Sequence, residues 1–319
     1  MSLRDELETL RTIAGVVDTS ERGAVLVTGP DGWSYLQNLV SADLDTVGDG
    51  QGVHSLLLTP QGKLDVDFRL LRVGDEAWLD CDPGFGEQLA ASLNRFRIRV
   101  KCDVTDRTGQ WGSLAVRGPR AVDASPALGV ELPAAPHAHV PFDDAVVVRA
   151  PWPGGDGFDV VGPPSTVTSA ADRLTAAGVP ACSPEAYEAL RIEVGVPRQG
   201  YDLDEKTIPQ EAFLERDAVS FSKGCFLGQE LVCRIDTRGR VNRYLRRLTS
   251  IADGRPPRGS EIVSGDKVVG TVTSSVASAD VPAAALGYVR HEVDPPAEVQ
   301  LRWDGGTGQA VVEALPAPA

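Results

Sequence analysis

The sequence predicts an α+β fold with a separate all-β module at its C-terminal end, on three observations. Strand-like and helix-like runs alternate irregularly and include hairpin signals, which favours mixed layers over a doubly wound parallel sheet. After Arg247 the texture changes to short β-branched runs broken by turn glycines, as in a small barrel. The chain has 319 residues, 42% of them apolar, enough for two or three packed domains.

Leu3, Leu7, Leu10 and Ala14 recur at helical spacing, so the chain opens with an amphipathic helix. "GAVLVTGPDG" reads as a buried strand ending in a Gly-Pro turn, with Asp31 as N-cap of a helix over "GWSYLQNLV". No G-x-G-x-x-G or G-K-[ST] follows, which excludes a nucleotide loop. "VHSLLLTP" and "KLDVDFRLLRV" form a hairpin turning at Gln61-Gly62, and "EAWLDCD" is a third strand. "PGFGEQLAASLNRFRI" is helical and "RVKCDVTD" extended, while the proline- and alanine-rich Val116–Pro141 stretch is a connection. "AVVVRAPWPGGDGFDVVGP" gives two strands around a glycine-rich turn. "STVTSAADRLTAAG" and "SPEAYEALRIEVG" are helices, the second with Ser183 as N-cap and Pro184 in its first turn. The terminal strands run through "SEIVSGDKVVGTVTSSV", "AALGYVR", "EVQLRW" and "GQAVVEAL".

A net charge of −14 argues against general nucleic-acid binding. One local run opposes it: "RIDTRGRVNRYLRR", Arg234 to Arg247, holds six arginines against one aspartate. It suits an anionic ligand tail, phosphate or RNA backbone, or else pairing with the chain's own acids. No apolar run approaches a membrane span and the N-terminal stretch is not signal-like, so a cytoplasmic location is expected. Five scattered cysteines without a C-x-x-C pair read as reduced thiols and not as a zinc site. No metal is expected at His137 and His139, which read as part of a solvated proline-rich loop.

"SFSKGCFLGQELVCR" carries the most chemistry. A thiol reacts as thiolate, and a cation or a helix N-terminus favours that form. Lys223 supplies such a field if its side chain turns toward Cys225; Gly224 allows a tight presentation, and a helix begins near "GQELV". The other reading of Cys225 is a small buried hydrophobe. Cys233 sits in an apolar-periodic run and reads as packed.

"KGCFLGQE" resembles the K-G-C-[FY]-x-G-Q-E signature of YgfZ-type folate-binding proteins, which assist iron–sulfur cluster assembly and repair. "VLVTGPDGWSYLQNLVSADL" and "LRIEVGVPRQGYDLDEKTIPQEA" are similar to other segments of that family, so the resemblance spans nearly the whole chain. The family is related to the aminomethyltransferase (T-protein) of the glycine cleavage system. The resemblance implies two interleaved α+β modules around a central folate channel, residues 1–50 with 112–240 and an inserted 51–111. It adds a C-terminal β-barrel over 241–319. It also implies tetrahydrofolate as ligand and iron–sulfur clients or assembly proteins as partners. "WPGGDGFD" resembles a T-protein turn, putting Asp159 at the pterin-binding carboxylate and Trp152 at a ring-packing tyrosine. A carboxylate suits paired hydrogen bonds from a pterin amino group and ring N–H. Arg191 falls at an arginine near the folate, facing a folate carboxylate or supporting the site. Lys223, Gln229 and Glu230 of the signature are further folate-binding candidates, with Cys225 and Lys223 as the functional pair.

Aligned on the T-protein G-G-x-x-D-D-L hairpin, Asp65 falls at the first acid and Val66 at the second, catalytic one. Valine moves no proton, and strand alternation sends Asp67 to the other face unless a bulge intervenes. Folate binding without aminomethyl transfer, serving iron–sulfur maintenance through Cys225, is therefore the expected function. The alternatives are a folate-dependent one-carbon transferase using another acid, and a scaffold recruiting a protein or RNA partner.

Overall fold

The computed structural model describes residues 1–276 and 278–316, so the last three positions of the expected 241–319 module lie outside it. In chain order the elements begin with α1 (Leu3–Thr12), β1 (Gly15–Asp18), β2 (Gly23–Thr28), α2 (Gly32–Gln37), β3 (Gly52–Leu58) and β4 (Leu64–Val73). Then come β5 (Glu76–Cys81), α3 (Gly86–Phe96), β6 (Asp103–Asp106), β7 (Gly112–Arg117), β8 (His139–Phe142), β9 (Ala145–Ala150) and β10 (Gly157–Gly162). They are followed by α4 (Pro164–Ala176), β11 (Ala181–Cys182), α5 (Pro184–Val194), α6 (Glu215–Ala218) and α7 (Gln229–Arg238). The chain ends with β12 (Arg243–Ala252), β13 (Glu261–Ser264), β14 (Lys267–Ser275), β15 (Ala285–Arg290), β16 (Ala297–Trp303) and β17 (Gly306–Glu313).

These make two open sheets and a closed barrel. The first sheet has strand order β11-β1-β7-β10-β9-β8, the second β3-β4-β5-β2-β6, and the barrel β12-β15-β14-β13-β16-β17. The barrel follows from alternation: Val299, Leu301, Ala310 and Val312 point inward while their neighbours face solvent. β7, "GSLAVR", is buried along its whole length and central in the first sheet. Buried on both faces, it shows no polar alternation, so its pattern alone does not announce a strand.

Three local expectations change. β2 pairs with β5 and β6, so the segment from Gly23 joins the second sheet and not the module of residues 1–50. Asp31 makes no side-chain cap on α2; its carboxylate accepts the Lys101 N–H at 2.8 Å and ties the helix start to the chain entering β6. The supposed connection Val116–Pro141 carries the end of β7, a 3-10 turn at Val122–Leu128 and most of β8. Elsewhere local chemistry holds. Ser2 and Asp5 form a capping box on α1, and the Ser183 hydroxyl accepts the Ala186 N–H at the start of α5.

The β3–β4 turn docks on the entry to α7. Gly62 (φ +74°) and Gly228 (φ +77°) take left-handed backbone angles, and a Cβ on Gly62 would stand 2.6 Å from the Leu231 Cβ and 2.8 Å from the Gly228 carbonyl. Neither clash can be relieved by rotating a side-chain end. Gly62→Ala is therefore expected to destabilise the protein by about 2 kcal/mol or more. Urea unfolding measures this, and an unchanged midpoint would show that the turn is free of α7.

Candidate functional site

Within β4, Val66, Phe68 and Leu70 pack into the core shared with Leu89 and Leu93 of α3. Asp67 and Arg69 point from the opposite face into a cavity of about 650 Å3 between the two sheets. That size is ordinary for a small-molecule site.

A bulge sets the directions. Leu57 pairs with Val66 but Leu58 pairs with Leu64, which leaves Asp65 without a cross-strand partner. The Asp65 carboxylate accepts from Gln88 on α3 at 2.7 Å and does not line the cavity. Asp65 and Asp67 thus do not share a face, contrary to simple alternation. Val66 belongs to the core, and the cavity acid is Asp67. Matching Gly62 to the first motif glycine instead of the second puts the second motif acid at Asp67.

Asp67 accepts a short hydrogen bond from His54 Nε2, and His54 Nδ1 lies 3.2 Å from Asp217 Oδ2. Burial opposes a charged imidazole, but the two carboxylates overcome it and raise His54 well above its ordinary value. Asp217 is lowered against its own burial by the His54 bond and charge.

A chain of ion pairs spans the cavity wall, buried at Asp80, Arg69, Asp159 and Arg117 and half-buried at Arg22 and Asp82. Arg22 contacts Asp80 at 2.7 Å and Asp82 at 3.1 Å; Arg69 contacts Asp80 at 2.8 Å and Asp159 at 2.6 Å; Arg117 contacts Asp159 at 2.8 Å. Asp80 and Arg69 belong to the second sheet, Asp159 and Arg117 to the first. Burial works against the Asp159 charge, yet Arg117 and Arg69 hold its carboxyl well below the usual range. The Arg117 contact is out of line for a hydrogen bond, so buried Asp159 Oδ1 has no aligned donor. Trp152 Nε1 is also buried without an acceptor, and its ring lies 5.4 Å from that of Tyr187 with Arg117 4.7 Å away. Both residues line the cavity.

Asp159, Trp152 and Arg191 therefore converge on this cavity, while Cys225, Lys223, Gln229 and Glu230 do not line it. Arg191 contributes support. Its guanidinium donates to Glu188 (2.7 Å), Asp202 (2.8 Å), the Val196 carbonyl (3.1 Å) and Ser274 (2.9 Å), locking α5 to the barrel. Lys223 does not serve Cys225. Its buried ammonium donates to the carbonyls of Gln37, Val40 and Ala42 at 2.6–2.9 Å, and burial pushes it down to about 8. Gln229 accepts the Phe226 N–H at 3.2 Å and closes its own turn, and Glu230 is exposed. The Cys225 sulfur is exposed and not packed in the core. The His137–His139 loop is not solvated. His139 is buried in β8, and His137 lines the cavity, where burial pushes it down to about 3. Among the described residues no group of three His, Cys, Asp or Glu side chains is placed to hold a metal, and no helix is long and apolar enough to cross a membrane.

His54, Arg69, Arg117, Asp217 and Tyr187 were not among the candidates. For Arg69 a signal exists: charged residues alternate with apolar ones in "DVDFR", and Asp80 of β5 with Asp82 just beyond it answers them, which marks a sheet with a polar buried face. His54, Arg117, Asp217 and Tyr187 come from four separate segments and meet only through the fold.

The imidazolium makes a pH prediction. A raised folded-state value means that its stabilisation is full below the unfolded value, about 6.5, and is lost as pH rises through the folded value. Asp217 must also be ionised, so the advantage of wild type over His54→Gln is largest between roughly pH 4 and 6.5. Unfolding measured from pH 4 to 9 should show this difference shrinking toward alkaline pH; a constant difference would contradict it.

Comparison with known proteins follows the same lines. Residues 1–223 match the family model described as the GCVT N-terminal domain. An aminomethyltransferase of Rubrobacter xylanophilus is 29% identical over 307 residues, covering 94% of this chain and 82% of the relative. One from Rippkaea orientalis is 29% identical over 330 residues, covering 98% and 89%. The crystal structure of glycine cleavage system aminomethyltransferase T from Bartonella henselae superposes with a TM-score of 0.85 at 24% identity, over 98% of this chain and 89% of that one. The fold is therefore the one expected, mixed α+β sheets followed by a closed six-stranded barrel. The chain belongs to the GCVT N-terminal domain family.

Proposed function

We propose that the cavity binds tetrahydrofolate or a reduced derivative and that the protein transfers a one-carbon unit, of the aminomethyl type, with Asp67 as its proton-handling group. One observation carries this reading: a single cavity gathers the Asp67–His54 pair, buried Asp159 Oδ1, which has the Arg117 charge beside it but no aligned donor, and buried Trp152 Nε1, which has no acceptor. Aminomethyltransferases use tetrahydrofolate, and the relatives reported above carry that name. This reading replaces the expectation that a valine at the acid position ended transfer chemistry, because the side chain facing the cavity is a carboxylate.

The unpartnered atoms test the fit. A pterin edge offers its amino group or a ring N–H to the open lone pair of Asp159 Oδ1, and Trp152 offers one donor in return. A bound tetrahydrofolate would supply the amine that takes up the one-carbon unit. The rest is the work of this chain. Asp159, fixed by two arginines, orients the ring without reorganising. Trp152 and Tyr187 close one wall against water. Asp67 accepts the proton shed by an attacking amine and passes it to a leaving amine, while His54, held by Asp217, fixes the carboxylate in the cavity.

Asp67→Asn should lower turnover of an aminomethyl-lipoyl donor with tetrahydrofolate by roughly a hundredfold or more while folate binding by calorimetry stays close to wild type. Asp159→Asn should do the reverse first, weakening binding by about 2 kcal/mol. Full turnover in Asp67→Asn would remove the acid–base role.

A second reading keeps iron–sulfur maintenance through Cys225, supported by the exposure of that sulfur while Cys81, Cys102 and Cys182 are buried. It requires that Cys225→Ser fold normally yet fail to sustain iron–sulfur enzyme activity in cells.

A further inference from the structure

The arginine run from Arg234 to Arg247 turns in part to the chain's own acids: Arg243 pairs with Glu211 at 3.1 Å and Arg247 with Glu313. Arg247 also donates to the Glu193 carbonyl at 3.2 Å, across the end of α5. It stands in the wall of a second cavity, of about 450 Å3, that shares no lining residue with the first. Helices α1 and α5, the Arg247–Ser250 part of β12 and the Pro282–Ala284 stretch before β15 enclose it. The size suits a small molecule.

Strand β12 leaves regular geometry at this place. Thr249 pairs with Val311 but Ala252 pairs with Gln309, so β12 carries one residue more than its partner. Within that bulge Ser250 takes φ +51°, a left-handed angle uncommon for a residue other than glycine. Bulges and strained residues recur where a site re-aims its side chains. Two polar atoms of the cavity wall are left over here. Arg247 Nε and Thr249 Oγ1 are buried and have no hydrogen-bond partner among the described residues. The Thr249 hydroxyl stands close to Glu313 but out of line for a bond. A buried donor left unpaired is costly, so a ligand that accepts from it is favoured.

Charge selects the ligand. Both cations of the wall already hold carboxylates, Arg11 that of Glu193 at 2.7 Å and Arg247 that of Glu313. An incoming anion would have to displace one of them, whereas a neutral acceptor would not. Leu7, Ile192, Leu248 and Val276 make the rest of the wall aliphatic. We propose that this cavity is a second ligand site, for a short branched aliphatic amide or ketone, whose carbonyl oxygen accepts from Arg247 Nε and the Thr249 hydroxyl. The two lone pairs of one carbonyl oxygen match the two donors, and the branched body covers the aliphatic wall. The site is independent of folate binding.

The test is NMR titration of the full chain with isovaleramide and with isovalerate. Wild type is expected to bind isovaleramide saturably with a Kd of about 1 mM, and isovalerate at least about fivefold more weakly. Thr249→Val, which keeps the shape and removes the hydroxyl, should weaken the amide by about fivefold or more. Ala283→Trp, which fills the cavity from its half-buried rim, should abolish saturable binding and carries the test alone if Thr249→Val fails to fold. No saturation of wild type by isovaleramide up to about 10 mM overturns the site, as does binding undiminished in Ala283→Trp. Tighter binding of isovalerate than of isovaleramide overturns the assignment to a neutral carbonyl.

Discussion

The cavity depends on one chain of ion pairs, Asp82–Arg22–Asp80–Arg69–Asp159–Arg117, running from one sheet to the other and buried from Asp80 onward. Its three arginines and three aspartates neutralise one another, which is the condition for placing so many ions out of water. Removing one of the buried members, Asp80, Arg69, Asp159 or Arg117, costs about 3–5 kcal/mol, because a partner is left buried and unpaired, whereas hydrocarbon in place of a whole pair is often neutral. The chain is therefore weak evidence for stability and strong evidence for position. Its Arg69–Asp159 contact ties the second sheet to the first across the cavity wall. It also presents Asp159 as an ionised acceptor with one lone pair open.

The catalytic proposal needs only a small departure from regular geometry. Asp65 is the extra residue of a bulge, and without it the side chains of the hairpin strand would alternate through to its start. With it, Asp65 turns to Gln88 while Asp67 and Arg69 stay in the cavity. One residue of register separates a site with an acid from a site without one. His54 then fixes the carboxylate from the neighbouring strand, and Asp217 of α6 fixes His54. The acid–base group is thus tied to the same short helix that brings Arg216 to the cavity.

Much of the fold was legible because its signals are local. Helical spacing of Leu3, Leu7 and Leu10, the Ser183-Pro184 start of α5 and the alternating strands of the barrel each depend on a few neighbours. β7 was not, because a strand buried on both faces has no polar side to give it away. For the site, Asp159, Trp152 and Arg191 were found through resemblance, and the structure brings all three to the cavity. Lys223 was misread because its sequence neighbour is a cysteine, whereas its partners are carbonyls some 180 residues earlier. The same holds for His54 and Asp217, which lie 163 positions apart. Val66 and Asp67 were misjudged because the motif was aligned with Gly62 as its second glycine, and Asp65 because a two-residue period was counted through a bulge that only strand pairing reveals.

A crystal structure of the protein with 5-formyltetrahydrofolate is the most direct measurement. The pterin edge is predicted within hydrogen-bond distance of Asp159 Oδ1, with the ring between Trp152 and the Asp67–His54 pair and the Arg69 and Arg117 contacts to Asp159 intact. A ligand bound elsewhere, or one that breaks those contacts to reach Asp159, would contradict a cavity preorganised by the buried charge chain.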